Sequence, residues 1–152
     1  MIAWQYTQIF EYMFVFVKGK IHDCNLLCDK PNKWAGHTNW GKKTHYNKEG
    51  ELKQTEKIKP IQDFSMRNNI WKYSTGFNEK TGHPAVYPQQ LATDHILSWS
   101  LENQIVFDPF LGSGTTALSA IRENRKFIGC EIDETYFNIC SERIEKELNM
   151  KN

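Results

Sequence analysis

With 152 residues, 39% of them apolar and 24% charged, the chain is long enough to bury one core. No apolar run approaches the roughly 18 residues of a membrane span, and the first residues lack the basic-then-apolar plan of a signal peptide, so a cytoplasmic location is expected. The formal charge of +1 points to no partner, and four cysteines at positions 24, 28, 130 and 140 do not make a disulfide framework.

Residues 1–8 show no pattern. Phe10 to Val17 (FEYMFVFV) is rich in aromatic and β-branched residues and predicts a strand, closed by Lys18-Gly19-Lys20. Ile21 to Lys59 is polar and without period, and it predicts a long loop with no regular structure. Charge is concentrated there: Lys18 to Lys72 holds twelve basic residues against six acids, a net of +6, while the remainder holds seven against twelve, a net of −5. Lys30, Lys33, Lys42 and Lys43 are interleaved with Trp34, Trp40 and Tyr46. Lysines meet phosphates and aromatics stack on unpaired bases, so this segment is a candidate nucleic-acid surface. On charge alone a solvated lysine-rich loop explains it as well. His22, Cys24, Cys28 and His37 could be drawn into a zinc site, but the usual C-x-x-C pair is missing.

Arg67 could contact phosphate or guanine, or pair with an acid. His83-Pro84 and Tyr87-Pro88 are two X-Pro pairs and predict extended chain, with Pro88 suited to the first turn of a helix. Leu91, Ala92, His95, Ile96 and Trp99 fall on one face of that helix, with His95 read as a packed core histidine.

Gln104 to Glu131 (QIVFDPFLGSGTTALSAIRENRKFIGCE) predicts strand, glycine loop, helix and strand. Gln104 to Phe107 and Phe127 to Cys130 read as buried parallel strands. Thr115 and Thr116 can cap the intervening helix, whose core face is Ala117, Leu118, Ala120 and Ile121. Such a unit holds a ligand at the carboxyl edge of the sheet, where free N–H groups and the helix dipole favour an anion. Glu131, nineteen positions after Gly112, stands where an acid would accept the hydroxyls of a ribose. The ligand therefore carries a ribose and an anionic or zwitterionic end. Gly112-x-Gly114-x-x-Ala117 satisfies the loose dinucleotide fingerprint, but Asp108-Pro109-Phe110-Leu111 stands where the first glycine should follow the strand. Asp133 can cap a last helix, with Tyr136, Ile139, Cys140, Ile144 and Leu148 as its apolar stripe. Cys130 and Cys140 read as reduced core residues.

Asp108-Pro109-Phe110-Leu111-Gly112-Ser113-Gly114-Thr115-Thr116 resembles the S-adenosylmethionine loop of DNA amino-methyltransferases. With Glu131, the 69–76 segment, Gly82 to Pro88 and Leu91 to Ser100, it is similar to the C-terminal half of a β-class enzyme acting on adenine N6 or cytosine N4. The resemblance implies an α/β chain with a partial Rossmann-like S-adenosylmethionine-dependent methyltransferase fold and a polar recognition insert. Residues 1–18 would be a late strand of the catalytic half, 19–66 a basic target-recognition insert and 67–152 the cofactor-binding unit. It implies a cofactor site made by Asp108, Phe110, Gly112, Ser113, Gly114, Thr115, Thr116 and Glu131, with His83, Pro84 and Tyr87 toward the methionine end. It implies double-stranded DNA as partner, met by Lys30, Lys33, Trp34, Trp40, Lys42, Lys43 and Arg67, and no metal.

The family grips its flipped base with an Asp-Pro-Pro-Tyr or Ser-Pro-Pro-Trp type tetrapeptide. No Pro-Pro occurs here, and the only Asp-Pro lies in the glycine loop. No catalytic residue is therefore assigned, and a partner chain or upstream segment is expected to supply the catalytic half. The chain alone is expected to be inactive, whether it is a fragment, a split subunit or a remnant. A homodimer stays open as a further partner state. Family abundance favours adenine. The competing readings are a non-catalytic DNA-binding remnant and a nicotinamide-dependent oxidoreductase fragment.

Overall fold

The computed structural model describes residues 10–20, 24–38, 44–54, 59–74 and 87–151. Its centre is a strand–helix–strand unit. β5 (Ile105–Asp108) and β6 (Lys126–Gly129) run parallel, with Val106 opposite Phe127 and Phe107 opposite Ile128. The crossover is α2 (Thr115–Arg122), flanked by α1 (Gln89–Trp99) and α3 (Glu134–Lys151). β1 (Lys30–Pro31) pairs antiparallel with β4 (Phe64–Ser65), and β2 (Thr44–Tyr46) forms a hairpin with β3 (Leu52–Gln54).

α2 is the packing hub, in contact with both strands of the parallel pair and both other helices. Its expected core face is buried: Ala117 and Ala120 are fully inaccessible, and Leu118 and Ile121 nearly so. Its start differs from the expectation. The cap is not a threonine but Gly114, at φ 87°, and Thr115 already lies inside the helix. A Cβ on Gly114 would meet the Cys140 sulfur at 2.6 Å, so only glycine lets α3 approach this closely.

α3 starts as expected, with Asp133 Oδ1 accepting from the amides of Thr135 (2.9 Å) and Tyr136 (3.1 Å). Cys140 is buried, whereas Leu148 is exposed. The buried residue one position earlier is Glu147, which takes a bidentate pair from Arg122 at 2.7 and 2.6 Å and clamps α3 to α2.

Several expectations are corrected. The two strands are not buried on both faces. Val106 and Phe127 turn toward α2, while Ile105, Phe107 and Ile128 are more than half exposed. Cys130 is likewise exposed. Among the described residues α2 covers one side of this pair, so alternate side chains stay in solvent. Residues 10–17 form no strand. The chain is extended, with successive even-numbered rings 5.2–6.3 Å apart, but it lies in no ladder. Aromatic and β-branched composition supplies propensity, and a neighbouring edge is still needed to accept the hydrogen bonds.

Within the 21–59 segment, residues 24–38 and 44–54 are more ordered than their composition implied, because their structure comes from turns. Asn47 Oδ1 accepts from the amides of Glu49 (3.1 Å) and Glu51 (2.8 Å), and Gly50 takes φ 80°, which closes the β2–β3 hairpin. The helix begun by Pro88 starts one residue later than expected, because Pro88 is its cap rather than its first turn.

Candidate cofactor site

β5 ends on Asp108, and the chain crosses to α2 over the carboxyl edge of both strands. Three fixed points hold the crossing. Leu111 N–H donates to the Cys130 carbonyl (2.8 Å), and Gly114 N–H donates to Leu111 (2.9 Å). From α3, Arg143 Nη1 donates to the Ser113 carbonyl (2.5 Å) and hydroxyl (3.1 Å). Arg143 was not singled out from the sequence, since a lone arginine on a helix carries no signal of what it meets.

Two carboxylates bracket the loop. Glu131 Oε2 accepts from Gly112 N–H (2.7 Å) and Oε1 from Asp133 N–H (2.9 Å). The amides of Asp133 and Gly112 hold this carboxyl below its ordinary value, so it is charged at neutral pH. Each oxygen keeps a further lone pair. Asp108 Oδ1 accepts from Phe110 N–H (3.0 Å), and its Oδ2 accepts from the Thr116 hydroxyl (2.6 Å). The Tyr87 hydroxyl is hydrogen-bonded to the same Thr116 oxygen, and burial pushes the phenol up, so it stays neutral.

The structure thus brings Asp108, Gly112, Ser113, Gly114, Thr115, Thr116, Glu131 and Tyr87 to one edge of the parallel pair. Phe110 is there too, 87% exposed. Ile132, fully exposed directly after Glu131, is a second bare apolar side chain at this edge that the sequence reading missed. Its signal was an apolar residue between two acids beyond a strand end. His83 and Pro84 lie outside the described residues. A cleft of about 450 Å³ opens beside Thr116, lined by Tyr87, Leu91, His95, Ile96, Ile105 and Met13 among others. His95 is half-buried there, 4.9 Å from the Trp71 ring, with burial lowering its pKa.

Of the expected DNA contacts, Trp40, Lys42 and Lys43 lie outside the described residues. Lys33 and Trp34 sit on a turn, with the Lys33 ammonium 5.3 Å from the Trp34 ring and Trp34 46% exposed. Lys30 Nζ donates to Asn68 Oδ1 (3.1 Å). Arg67 takes the acid-pairing role: its guanidinium is bound by both Asp29 and Asp94. Its positive charge is therefore shared between two carboxylates. Among the described residues no group of three or more His, Cys, Asp or Glu could hold a metal, and no helix is long and apolar enough to cross a membrane.

The sequence profile of a family described as DNA methylase matches residues 1–142. The orphan methyltransferase M.BamHII of Bacillus amyloliquefaciens is 48% identical over 151 residues, covering 93% of this chain and 56% of that protein. The DNA adenine methyltransferase YhdJ of Escherichia coli is 35% identical over 89 residues, covering 57% of this chain and 30% of that one. Among solved structures, the M1.HpyAVI–SAM complex is similar at 30% identity and a TM-score of 0.43, covering 67% of this chain and 44% of that one. The PvuII cytosine-N4-specific methyltransferase gives 29% identity, a TM-score of 0.39, and coverage of 60% and 37%. The chain therefore spans about half the length of M.BamHII.

The tie between Glu131 and the loop has a direct readout. With its folded pKa depressed below the ordinary glutamate value of 4.5, Glu131 stays mostly ionised at that pH and protonates as the pH falls further. The stabilisation it gives the loop is therefore complete above that value and is lost as the pH falls through the folded pKa. In a pH titration followed by NMR, the midpoint of the Gly112 amide transition is expected to fall below the ordinary glutamate value of 4.5. A Gly112 transition above pH 5 would contradict the assignment.

Proposed function

We propose, because this chain belongs to the DNA methylase family, that it carries the cofactor-binding and DNA-recognition parts of a site-specific amino-methyltransferase that uses S-adenosylmethionine and targets adenine N6. The observation that carries the reading is the placement of the Asp108 and Glu131 carboxyl groups on either side of a backbone loop at the start of α2.

The donor set fits this cofactor. Glu131 keeps acceptor capacity for two ribose hydroxyls after its bonds to Gly112 and Asp133. Asp108 offers a carboxylate to an ammonium, and the amides at the start of α2 suit a carboxylate. Phe110 and Ile132 offer apolar surface to a base. His83, Pro84 and Tyr87 belong to the methionine end in this reading. Bound there, S-adenosylmethionine supplies a methyl group made electrophilic by its sulfonium. The protein's part is position and electrostatics: it holds the cofactor at a fixed edge and brings DNA to it.

DNA contact is assigned to the 19–66 insert, through Lys30, Lys33, Trp34, Trp40, Lys42 and Lys43. The exposed Lys33–Trp34 turn supports it, since a cation beside an open indole suits a phosphate next to an unpaired base. The target base must leave the duplex to be methylated. With no Pro-Pro-aromatic tetrapeptide here, the groups that grip that base come from a partner chain or upstream segment. The open surface of the parallel pair supports this: among the described residues no strand pairs with β5 on the side away from β6. Adenine is chosen on family abundance, and the Escherichia coli relative is named a DNA adenine methyltransferase.

Calorimetry tests the cofactor assignment. Glu131→Ala is expected to weaken S-adenosylmethionine binding about tenfold or more, the scale of charge-assisted hydrogen bonds. Unchanged affinity in the variant, or NAD binding in the parent, would sink it. With labelled cofactor and duplex DNA, the chain alone is expected to transfer no methyl groups until a segment carrying the tetrapeptide is added. Ordinary turnover by the lone chain would place the catalytic groups within these 152 residues. For DNA, replacing Lys42 and Lys43 by Ala is expected to reduce the slope of log affinity against log salt by about 0.9 per lost phosphate contact. An unaltered slope would make the segment a solvated loop.

A further inference from the structure

Arg67 is where the insert meets α1. Its Nε lies 3.1 and 2.9 Å from the two oxygens of Asp29, and its Nη2 also donates to Asp29. Its Nη1 donates to Asp94 Oδ2 at 2.5 Å, and the guanidinium lies 5.1 Å from the Trp71 ring. Asp94 is 3% exposed in the middle of α1 and accepts as well from the Tyr73 hydroxyl (2.6 Å) and Gln90 Nε2 (2.8 Å). Backbone bonds run alongside: Asn25 N–H donates to the Ser98 carbonyl and Arg67 N–H to the Leu27 carbonyl, both at 2.8 Å. The stem of the insert is therefore docked on the C-terminal half of α1.

The other end of α1 reaches the cofactor loop. Tyr87, two residues before the helix, shares a hydrogen bond with Thr116, whose hydroxyl donates to Asp108. One helix of 11 residues thus touches the loop at one end and carries the insert at the other.

We infer that Arg67 is a positioning residue: with Asp29 and Asp94 it fixes the recognition insert on α1, so that cofactor occupancy at the loop and DNA engagement by the insert are coupled through that helix. The inference rests on the methyltransferase reading and adds the coupling to it. A guanidinium suits the task, because its planar fork holds two carboxylates in set directions where an ammonium would hold them loosely. A buried acid that must keep its partner also penalises alternative placements of the insert.

The test uses the full 152-residue chain as parent and as Arg67→Ala, Asp94→Asn and Asp29→Asn. Amide exchange at Asn25 and Gly112 is followed without ligand. S-adenosylmethionine affinity is measured by calorimetry, and affinity for a DNA duplex is measured with and without the cofactor. In Asp94→Asn and Arg67→Ala, Asn25 is expected to exchange about tenfold faster or more while Gly112 is unchanged. Cofactor affinity should stay within about twofold of the parent, and the gain in DNA affinity that the cofactor brings in the parent should fall toward none.

Asp94→Asn separates this from a direct DNA contact. It releases Arg67 from one acid, so a phosphate-binding arginine would tighten DNA in that variant, and that result overturns the inference. Parent-like cofactor dependence of DNA binding in Asp94→Asn also overturns it, as does parent-like exchange at Asn25. If Arg67→Ala does not fold, Asp94→Asn and the more exposed Asp29→Asn decide alone. A parent that binds neither cofactor nor DNA would refute the methyltransferase reading and the coupling with it, while the exchange result would still show whether Asp94 fixes the insert.

Discussion

Everything else in this structure is arranged around the burial of α2. It touches β5, β6, α1 and α3, and it can do so only because its inward positions are small. Ala117, Ser119 and Ala120 have no accessible surface, and Gly114 at its start leaves room for the Cys140 sulfur. The two larger apolar residues, Leu118 and Ile121, each contribute about 1.5–3 kcal/mol on burial. The same tight packing sets the start of the helix against the ends of both strands, where Asp108 and Glu131 stand. The core that stabilises the unit is thus also what places its charges.

The cost of this arrangement appears on the opposite side. A parallel strand pair is ordinarily covered on both faces. Here the side chains that alternate away from α2 remain in water: Ile105, Phe107 and Ile128. The extended 10–17 segment has the same character, with Phe14 and Phe16 among the most exposed large residues. A sheet in this state is bonded and packed on one side and apolar on the other, which makes it a template for further chain.

Much of the cofactor unit was legible in the sequence, because its signals are local. A short apolar run, an Asp-Pro stop, two glycines and a helical stripe each follow from backbone chemistry within a few residues. The core face of α2 and the Asp133 cap needed nothing more. The errors came where the answer depends on what lies across a gap in space. Strand composition predicted a strand at 10–17 but could not supply the edge it needs. Hydrophobicity predicted that Ile105, Ile128 and Cys130 are buried, although burial is decided by the layers above them. The insert read as formless because hydrophobic period was the criterion. The order of its described residues comes instead from side chain–backbone bonds of Asn47 and from ladders only two or three residues long. Glu147 and Arg143 were invisible for a related reason: each is a charged helical residue whose importance lies in a partner 25 and 30 residues away.

α1 shows the same limit most sharply, and what it hides matters for function. Its apolar residues marked one face, and Ala92 and Ile96 are indeed buried. Asp94 and Ser98 are buried just as deeply, and they lie one helical turn apart on a different face. A helix buried on two faces has two neighbours. One neighbour is α2, and the other is the segment that reaches Asp94 through Arg67 and the Ser98 carbonyl through Asn25. Burial alone would push the Asp94 carboxyl up, but hydrogen bonds from Arg67, Tyr73 and Gln90 outweigh it and keep the group charged. A charge kept inside the protein at that expense specifies direction more than it adds stability. Apolar contacts can slide with little penalty, whereas a carboxylate held by three donors has one arrangement. The ionic side of α1 thus fixes where the chain around Asn25 and Arg67 stands on that helix.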